Sequence, residues 1–279
     1  MNSFKSHLLA MGSAIALLTG AAPAFALFND AAYIHQTGSN NTAYQYQSGN
    51  NRAIINQYEG VAGSASQVQF GNNFGAFILQ YGGYRNAGSQ TQVGNYNVAE
   101  IFQGDYFNPA LAGSYNTASQ YQNGRLNVAI ILQGYAASLN TAYQLQYGRS
   151  NRAFINQYGN DNYARQLQSG SYNNANATQS GNYNIASQYQ NGSGITATIN
   201  QPGSYNTAYQ VQFGSYNTAT IDQSGSYNFA NQYQNGSYNT ATINQPGDGN
   251  FAGQYQVGDS NVASITQGGN GNVATQTEH

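Results

Sequence analysis

The chain holds 279 residues with a formal net charge of −2, only 6% charged residues and no cysteine. Seven Lys and Arg residues in all exclude a basic surface able to neutralise a nucleic-acid backbone, and a thiol-free chain is compatible with an oxidising compartment. Abundant Gln, Asn, Ser and Gly would suit a disordered tract, but disorder does not require the strict phase that the later residues keep.

In chain order, the first element is a targeting segment. Lys5 supplies a positive n-region, Leu8 to Leu18 an apolar core, and Ala24-Phe25-Ala26 a small-x-small cleavage pattern. Residues 1–26 therefore read as a secretory signal peptide. Its apolar core is too short to span a membrane, and no later stretch is apolar enough, so no transmembrane segment is predicted. A short segment, 27–31, precedes repeats over 32–276, and 277–279 form a tail. Without Lys5, six Arg face nine Asp and Glu, a net charge of −3.

The early repeats slip. Gln47 to Gln57 is one residue short of eleven, Gln57 to Gln69 and Gln80 to Gln92 are one long, and Gln133 to Gln146 carries two extra residues. The largest insertion lies between Gln103 and Gln122, around Asp105 to Pro109. Proline cannot donate to a strand ladder, so a surface loop is predicted there. All six Arg residues fall between Arg52 and Arg165.

From Gln146 onward a glutamine closes every eleventh residue: Gln146, Gln157, Gln168, Gln179, Gln190, Gln201, Gln212, Gln223, Gln234, Gln245, Gln256 and Gln267. Within each interval the fixed residues alternate, which places them on one face of a β-strand. Asn151, Asn162, Asn184, Asn206, Asn217, Asn228 and Asn239 are followed two residues on by Ala, as at Ala153, Ala164, Ala186 and Ala208. The next position alternates between Gln166, Gln188, Gln210, Gln232, Gln254 and Ile155, Ile199, Ile221, Ile243, Ile265. The true period is thus 22, two strands per coil. Gly148, Gly159, Gly170, Gly181, Gly192, Gly203, Gly214, Gly225, Gly236, Gly247 and Gly258 mark the turns, where glycine gives backbone freedom.

This pattern predicts an all-β fold, a two-sheet β-solenoid of about 11 coils with 22 residues per coil, each strand seven residues long before its turn. Asn, Ala, Gln and Ile face inward; Tyr, Thr and Arg face mostly outward. Stacked coils put like on like, so side-chain amides bond along the stack as in cross-β structure. With Ala, Gln and Asn inside, stability must lean on hydrogen bonds, each worth about 1 kcal/mol net.

Gln122-Asn123-Gly124-Arg125-Leu126-Asn127-Val128-Ala129-Ile130-Ile131-Leu132-Gln133 and Gln212-Phe213-Gly214-Ser215-Tyr216-Asn217-Thr218-Ala219-Thr220-Ile221-Asp222-Gln223 carry the pattern Gln-x-Gly-x-x-Asn-x-Ala-x-x-x-Gln. It resembles the curlin repeat of curli fibre subunits from Gram-negative bacteria, over nearly all of 32–276. The resemblance implies a secreted subunit that polymerises outside the cell into a functional amyloid for adhesion and biofilm matrix. It also implies a nucleator subunit, an outer-membrane export pore and chaperones as partners, with a minor nucleating role as the alternative. About five residues separate the cleavage site from the first repeat, so no dedicated export segment is expected there. Independently of the family, the first and last coils resemble internal ones, without a Lys-rich edge or covering helix, and such edges offer unpaired backbone groups to another chain.

No catalytic constellation or cofactor site is predicted. His7 lies in the signal peptide, His35 at an outward, solvated strand position and His279 at the terminus, which makes a nucleophile–histidine–carboxylate set or a histidine metal site hard to build. Asp161, Asp248 and Asp259 fall in turns. Tyr172, Tyr183, Tyr205, Tyr216, Tyr227 and Tyr238 precede the Asn, and members 22 apart should stack along one edge. Thr196/Thr198, Thr218/Thr220 and Thr240/Thr242 recur at period 22, a Thr-x-Thr array like that of ice-binding solenoids; flanked by Asn174/Asn176 and Val262/Ser264, it spans three rungs. Because slips interrupt in-register stacking, residues 146–276 are expected to drive assembly ahead of the N-terminal half.

Overall fold

The computed structural model describes residues 6–11, 24–25, 31–72, 74–104, 113–134 and 137–279. Most of the signal-peptide reading, the loop expected around residues 105–109 and the two residues 135–136 lie outside them. Within 1–26 only the strands Ser6–Met11 and Ala24–Phe25 are described, the former pairing antiparallel with Ala31–Ser39. The chain divides into two compact units, 1–142 and 143–279.

Among the described residues all regular structure is β-strand, 22 strands from residue 31 to 278, about eleven coils of two. Within each unit, from residue 31 on, strands two places apart in sequence pair in parallel, so odd and even strands lie in separate sheets. In the second unit the pairing runs at a constant offset of 22. Tyr163–Ser171 lies beside Ile185–Ser193 with Gln166 opposite Gln188, and Asn174–Gln179 lies beside Thr196–Gln201 with Ala175 opposite Ala197. Burial alternates along each strand, as the period of two requires.

The sheets face each other across a thin core. One sheet contributes an isoleucine column, Ile155, Ile199, Ile221 and Ile243, fully buried and interrupted by Ala177. The other contributes the paired glutamine columns. Alanine lines the start of each strand, at Ala153, Ala164, Ala186 and Ala208, so the alanines of the two sheets lie at opposite ends of the cross-section. Its small side chain lets backbones approach where a larger one would hold the sheets apart.

Strand lengths differ from the uniform seven. In the second unit, nine-residue strands such as Thr207–Ser215 alternate with five- or six-residue strands such as Thr218–Asp222. The cause lies in the glycines. Gly148, Gly170, Gly192, Gly214 and Gly236 sit inside the long strands with φ between +102° and +152°, while Gly159, Gly181, Gly203, Gly225 and Gly247 lie in the other turns without positive φ. What both columns share is close approach: a Cβ on Gly170 would overlap the carbonyl oxygen of Gly192, and one on Gly181 that of Gly203. The left-handed turn residue is instead the one before Asn, usually tyrosine, with φ of 58° at Tyr172 and 59° at Tyr205.

In the first unit the length slips are absorbed outside the core. A register shift falls between Gln36 and Gly38, and extra left-handed residues appear at Glu59 and Ala62. Inward residues stay level: Gln67 pairs with Gln90, and Gln90 with Gln120. His35, expected to be solvated, is buried. Its strand is flanked by Ser6–Met11, and its ring packs 4.8 Å from Tyr58 and 6.3 Å from Tyr33.

Candidate functional site: stacked amide ladders

The feature that sets this fold apart is a core of primary amides. Gln188 is buried, and its Nε2 has two hydrogens. One goes along the stack to Gln210 Oε1 at 2.9 Å, and the other crosses to the backbone oxygen of Asn176 in the opposite sheet at 2.9 Å. Its Oε1 accepts from Gln166 at 2.8 Å. Each amide thus ties three chain segments together and leaves no donor orphaned.

Three such ladders run through the second unit. Gln144, Gln166, Gln188, Gln210, Gln232 and Gln254 form the first, with links of 2.8–3.0 Å. Gln146, Gln168, Gln190, Gln212, Gln234 and Gln256 form the second, at 2.7–3.4 Å. Gln157, Gln179, Gln201, Gln223, Gln245 and Gln267 form the third, at 2.8–2.9 Å. The second and third also donate across the core, for example Gln212 to Thr196 O and Gln223 to Thr207 O.

Asparagine works at the corners. Asn162 Oδ1 accepts the backbone N–H of Asn184, and Asn184 Oδ1 that of Asn206, both at 2.9 Å. Asn184 Nδ2 donates forward to Gly203 O at 2.8 Å. Asn151, Asn217, Asn228 and Asn239 make the same kinds of bond. The fixed asparagine therefore satisfies the turn's backbone, a role that periodicity alone does not reveal. Ile195 takes this place in one coil, where it is fully buried and its N–H still bonds Asn173 Oδ1 at 3.0 Å.

The structure buries every side chain singled out for the inward face from Gln146 to Gln267, including Ile265 at the last turns of the stack. It also brings together what the slips were expected to separate. In the first unit Gln45, Gln67, Gln90 and Gln120 are linked at 2.8–3.0 Å, and Gln36, Gln57, Gln80, Gln103 and Gln133 at 2.5–2.9 Å. The reading that slips interrupt the ladders is thus overturned, because the inward glutamines on either side of them remain level and bonded.

Outside, two tyrosine columns form along the turns. Tyr183, Tyr205 and Tyr227 stack with centroids 4.8 Å apart and planes within 10°. Tyr216 and Tyr238 stack at 5.2 Å. The three Thr-x-Thr rungs are in register, Thr196 beside Thr218 and Thr218 beside Thr240, and end against Asn174 and Val262. The other sheet's outer face is aromatic, with Phe229 stacked on Phe251 at 5.1 Å and Tyr233 on Tyr255 at 4.8 Å. Several Arg residues sit over rings, Arg85 at 4.9 Å from Tyr84 and Arg125 at 5.5 Å from Tyr96. The period of 22 anticipates the tyrosine columns and the threonine rows, whereas the Arg–ring contacts, such as Arg125 over Tyr96 29 residues away, were not paired from the sequence.

Among the described residues no group of three His, Cys, Asp or Glu could hold a metal, and no helix is long and apolar enough to cross a membrane. The family model of the Curlin associated repeat matches residues 192–225 and 217–247. No curated protein matches the chain. The matched residues, 192–247, lie on strands of the second unit whose inner amides run in continuous ladders.

Proposed function

We propose that this chain is a structural subunit of an extracellular, curli-like functional amyloid fibre serving adhesion and biofilm matrix, exported with residues 1–26 as a signal peptide. The supporting observation is the self-similarity of the coils. Gln188 offers Gln210 the same amide that Gln210 offers Gln232, so a coil of one chain can receive a coil of another through the bonds that join coils within a chain. Gln45 Oε1 and Gln47 Oε1 are buried without a hydrogen-bond partner and could accept amide donors from a coil of another chain. A head-to-tail contact of this kind does not close and produces filaments.

The partners in this reading are further copies of the chain, a nucleator subunit, an outer-membrane export pore and chaperones; a minor nucleating subunit is the nearest alternative role, and no cofactor is involved. The test is dilution of the purified chain lacking residues 1–26 out of denaturant, with and without preformed seeds. Fibres with a meridional spacing of about 4.8 Å are expected. Prompt unseeded growth would favour the nucleating role, growth that waits for seeds the main subunit. A chain that stays monomeric in both arms would contradict the proposal.

A further inference from the structure

The turn column Tyr183, Tyr205 and Tyr227 is a run of three stacked phenols on successive coils, with centroids 4.8 Å apart and interplanar angles of 10° and 4°. The rings are open to solvent, 47% exposed at Tyr205 and 66% at Tyr227. The column also ends on a carboxylate: Asp161 occupies the same turn position one coil earlier and shares its left-handed φ, 55° against 56° at Tyr183. The negative charge of Asp161, then that of Tyr205, then burial hold the Tyr183 phenol above the usual tyrosine range, so it stays protonated.

A phenol loses an electron readily only if its proton has somewhere to go. A carboxylate in the same turn position one coil earlier, Asp161, supplies that place, and parallel rings in contact let the electron deficit pass to the next phenol. The left-handed backbone fixes each ring over its neighbour, whereas tyrosines on mobile loops would meet by chance.

We propose that Tyr183, Tyr205 and Tyr227 form an oxidative cross-linking site, at which hydrogen peroxide acting through a peroxidase joins adjacent coils by a dityrosine bond. In the step, two phenols each give one electron to the peroxidase and one proton to a base, Asp161 for Tyr183 and water for its partner. The two phenoxyl radicals pair at ring carbons ortho to oxygen, forming one C–C bond. The hydrogens on those carbons leave as the rings regain aromaticity, and the phenolic oxygens take up protons. The net change is loss of two hydrogen atoms from the protein, while one peroxide is reduced to two waters. The bond would lock neighbouring coils covalently along this edge.

The experiment uses the folded full-length mature chain, assembled from an equal mixture of unlabelled and nitrogen-15-labelled protein, treated with a plant-type peroxidase and hydrogen peroxide. Proteolysis after Asp and Glu followed by tandem mass spectrometry locates the cross-links, and the label pattern separates bonds within a chain from those between chains. Expected are intrachain links, two hydrogens lighter, at Tyr183–Tyr205 and Tyr205–Tyr227. Tyr205→Phe keeps the ring stack but removes the phenol common to both, and should lower intrachain dityrosine at least several-fold. Asp161→Asn should slow the Tyr183–Tyr205 link relative to Tyr205–Tyr227. Dityrosine that does not involve Tyr205, or an intrachain yield unchanged in Tyr205→Phe, would overturn the proposal. A mock-treated denatured sample serves as the baseline for unstructured coupling, and an equal yield there would overturn it too.

Discussion

Gln210 accepts from Gln188, donates to Gln232 and donates to the Thr198 carbonyl, each at 2.9 Å. Removing its amide leaves a donor on Gln188 and an acceptor on Gln232 without partners in a dry core, at about 1–3 kcal/mol for each orphan. A block of replaced glutamines has the same two broken ends as a single one, because neighbours inside the block lose both partners together. The Thr198 oxygen keeps its place in the backbone ladder. Gln210→Met alone and Gln188, Gln210 and Gln232 all changed to Met should therefore raise the critical concentration for fibre growth by similar factors. A threefold larger free-energy cost for the triple variant would show that the amides act independently. Glycine supplies a second residue-scale contrast. Gly170 combines φ of +113° with a Cβ position that overlaps the next coil, whereas a Cβ on Gly268 meets nothing within 4 Å. Gly170→Ala should destabilise by at least the 1–3 kcal/mol of a left-handed strain, and Gly268→Ala should leave the denaturation midpoint unchanged.

At the scale of strands and turns, the inward set was legible because period two and period 22 coincide: Asn151, Ala153, Ile155 and Gln157 announce their face by spacing alone. The turns were not. Glycine recurs at every turn, yet only alternate glycines adopt positive φ, and the left-handed position falls to Tyr172 or Tyr205. A tyrosine in that conformation runs against local preference; Tyr205 is flanked by the stacked rings of Tyr183 and Tyr227, and Tyr172 lies under the Arg149 guanidinium. His35 was misread for a related reason, since its cover comes from Tyr58 and a neighbouring strand, 23 or more residues off. Glu100 illustrates how outward strand positions are set by neighbouring coils. Between Phe77 and Ile130 along its sheet, burial raises its pKa above the ordinary 4.5. A carboxyl raised on folding favours the folded state in acid and loses that contribution as pH rises through the folded value. Stability should thus fall on going from acid to neutral pH in wild type and fall less in Glu100→Gln, as followed by urea midpoints. Parallel pH profiles for the two would show that Glu100 is effectively solvated.

For the whole molecule, the order of assembly follows from which ladders are continuous. Register slips suggested that residues 146–276 lead. The first unit nevertheless keeps its glutamines bonded through every described slip, at 2.7 Å across the 23-residue step from Gln57 to Gln80 and 2.9 Å across the 30-residue step from Gln103 to Gln133. Fragments 27–145 and 146–279 at equal concentration are therefore expected to form fibres at comparable rates. An N-terminal fragment that lags far behind would mean that insertions in the turns hinder growth even where the inner amides remain paired.

Everything above rests on amides stacked like on like within a closed core. Gln188, Gln210 and Gln232 lie on consecutive coils, each almost wholly excluded from solvent. Replacing all three by Lys would place ammonium groups about 4.8 Å apart in that core, where desolvation and mutual repulsion act together. Growth of the full mature chain, followed by thioflavin fluorescence and by diffraction from aligned fibres, should be abolished or slowed severalfold in this variant while the wild type grows. Unchanged kinetics together with an unchanged meridional spacing would contradict the ladder as the element that holds the coils, and the fibre subunits, together.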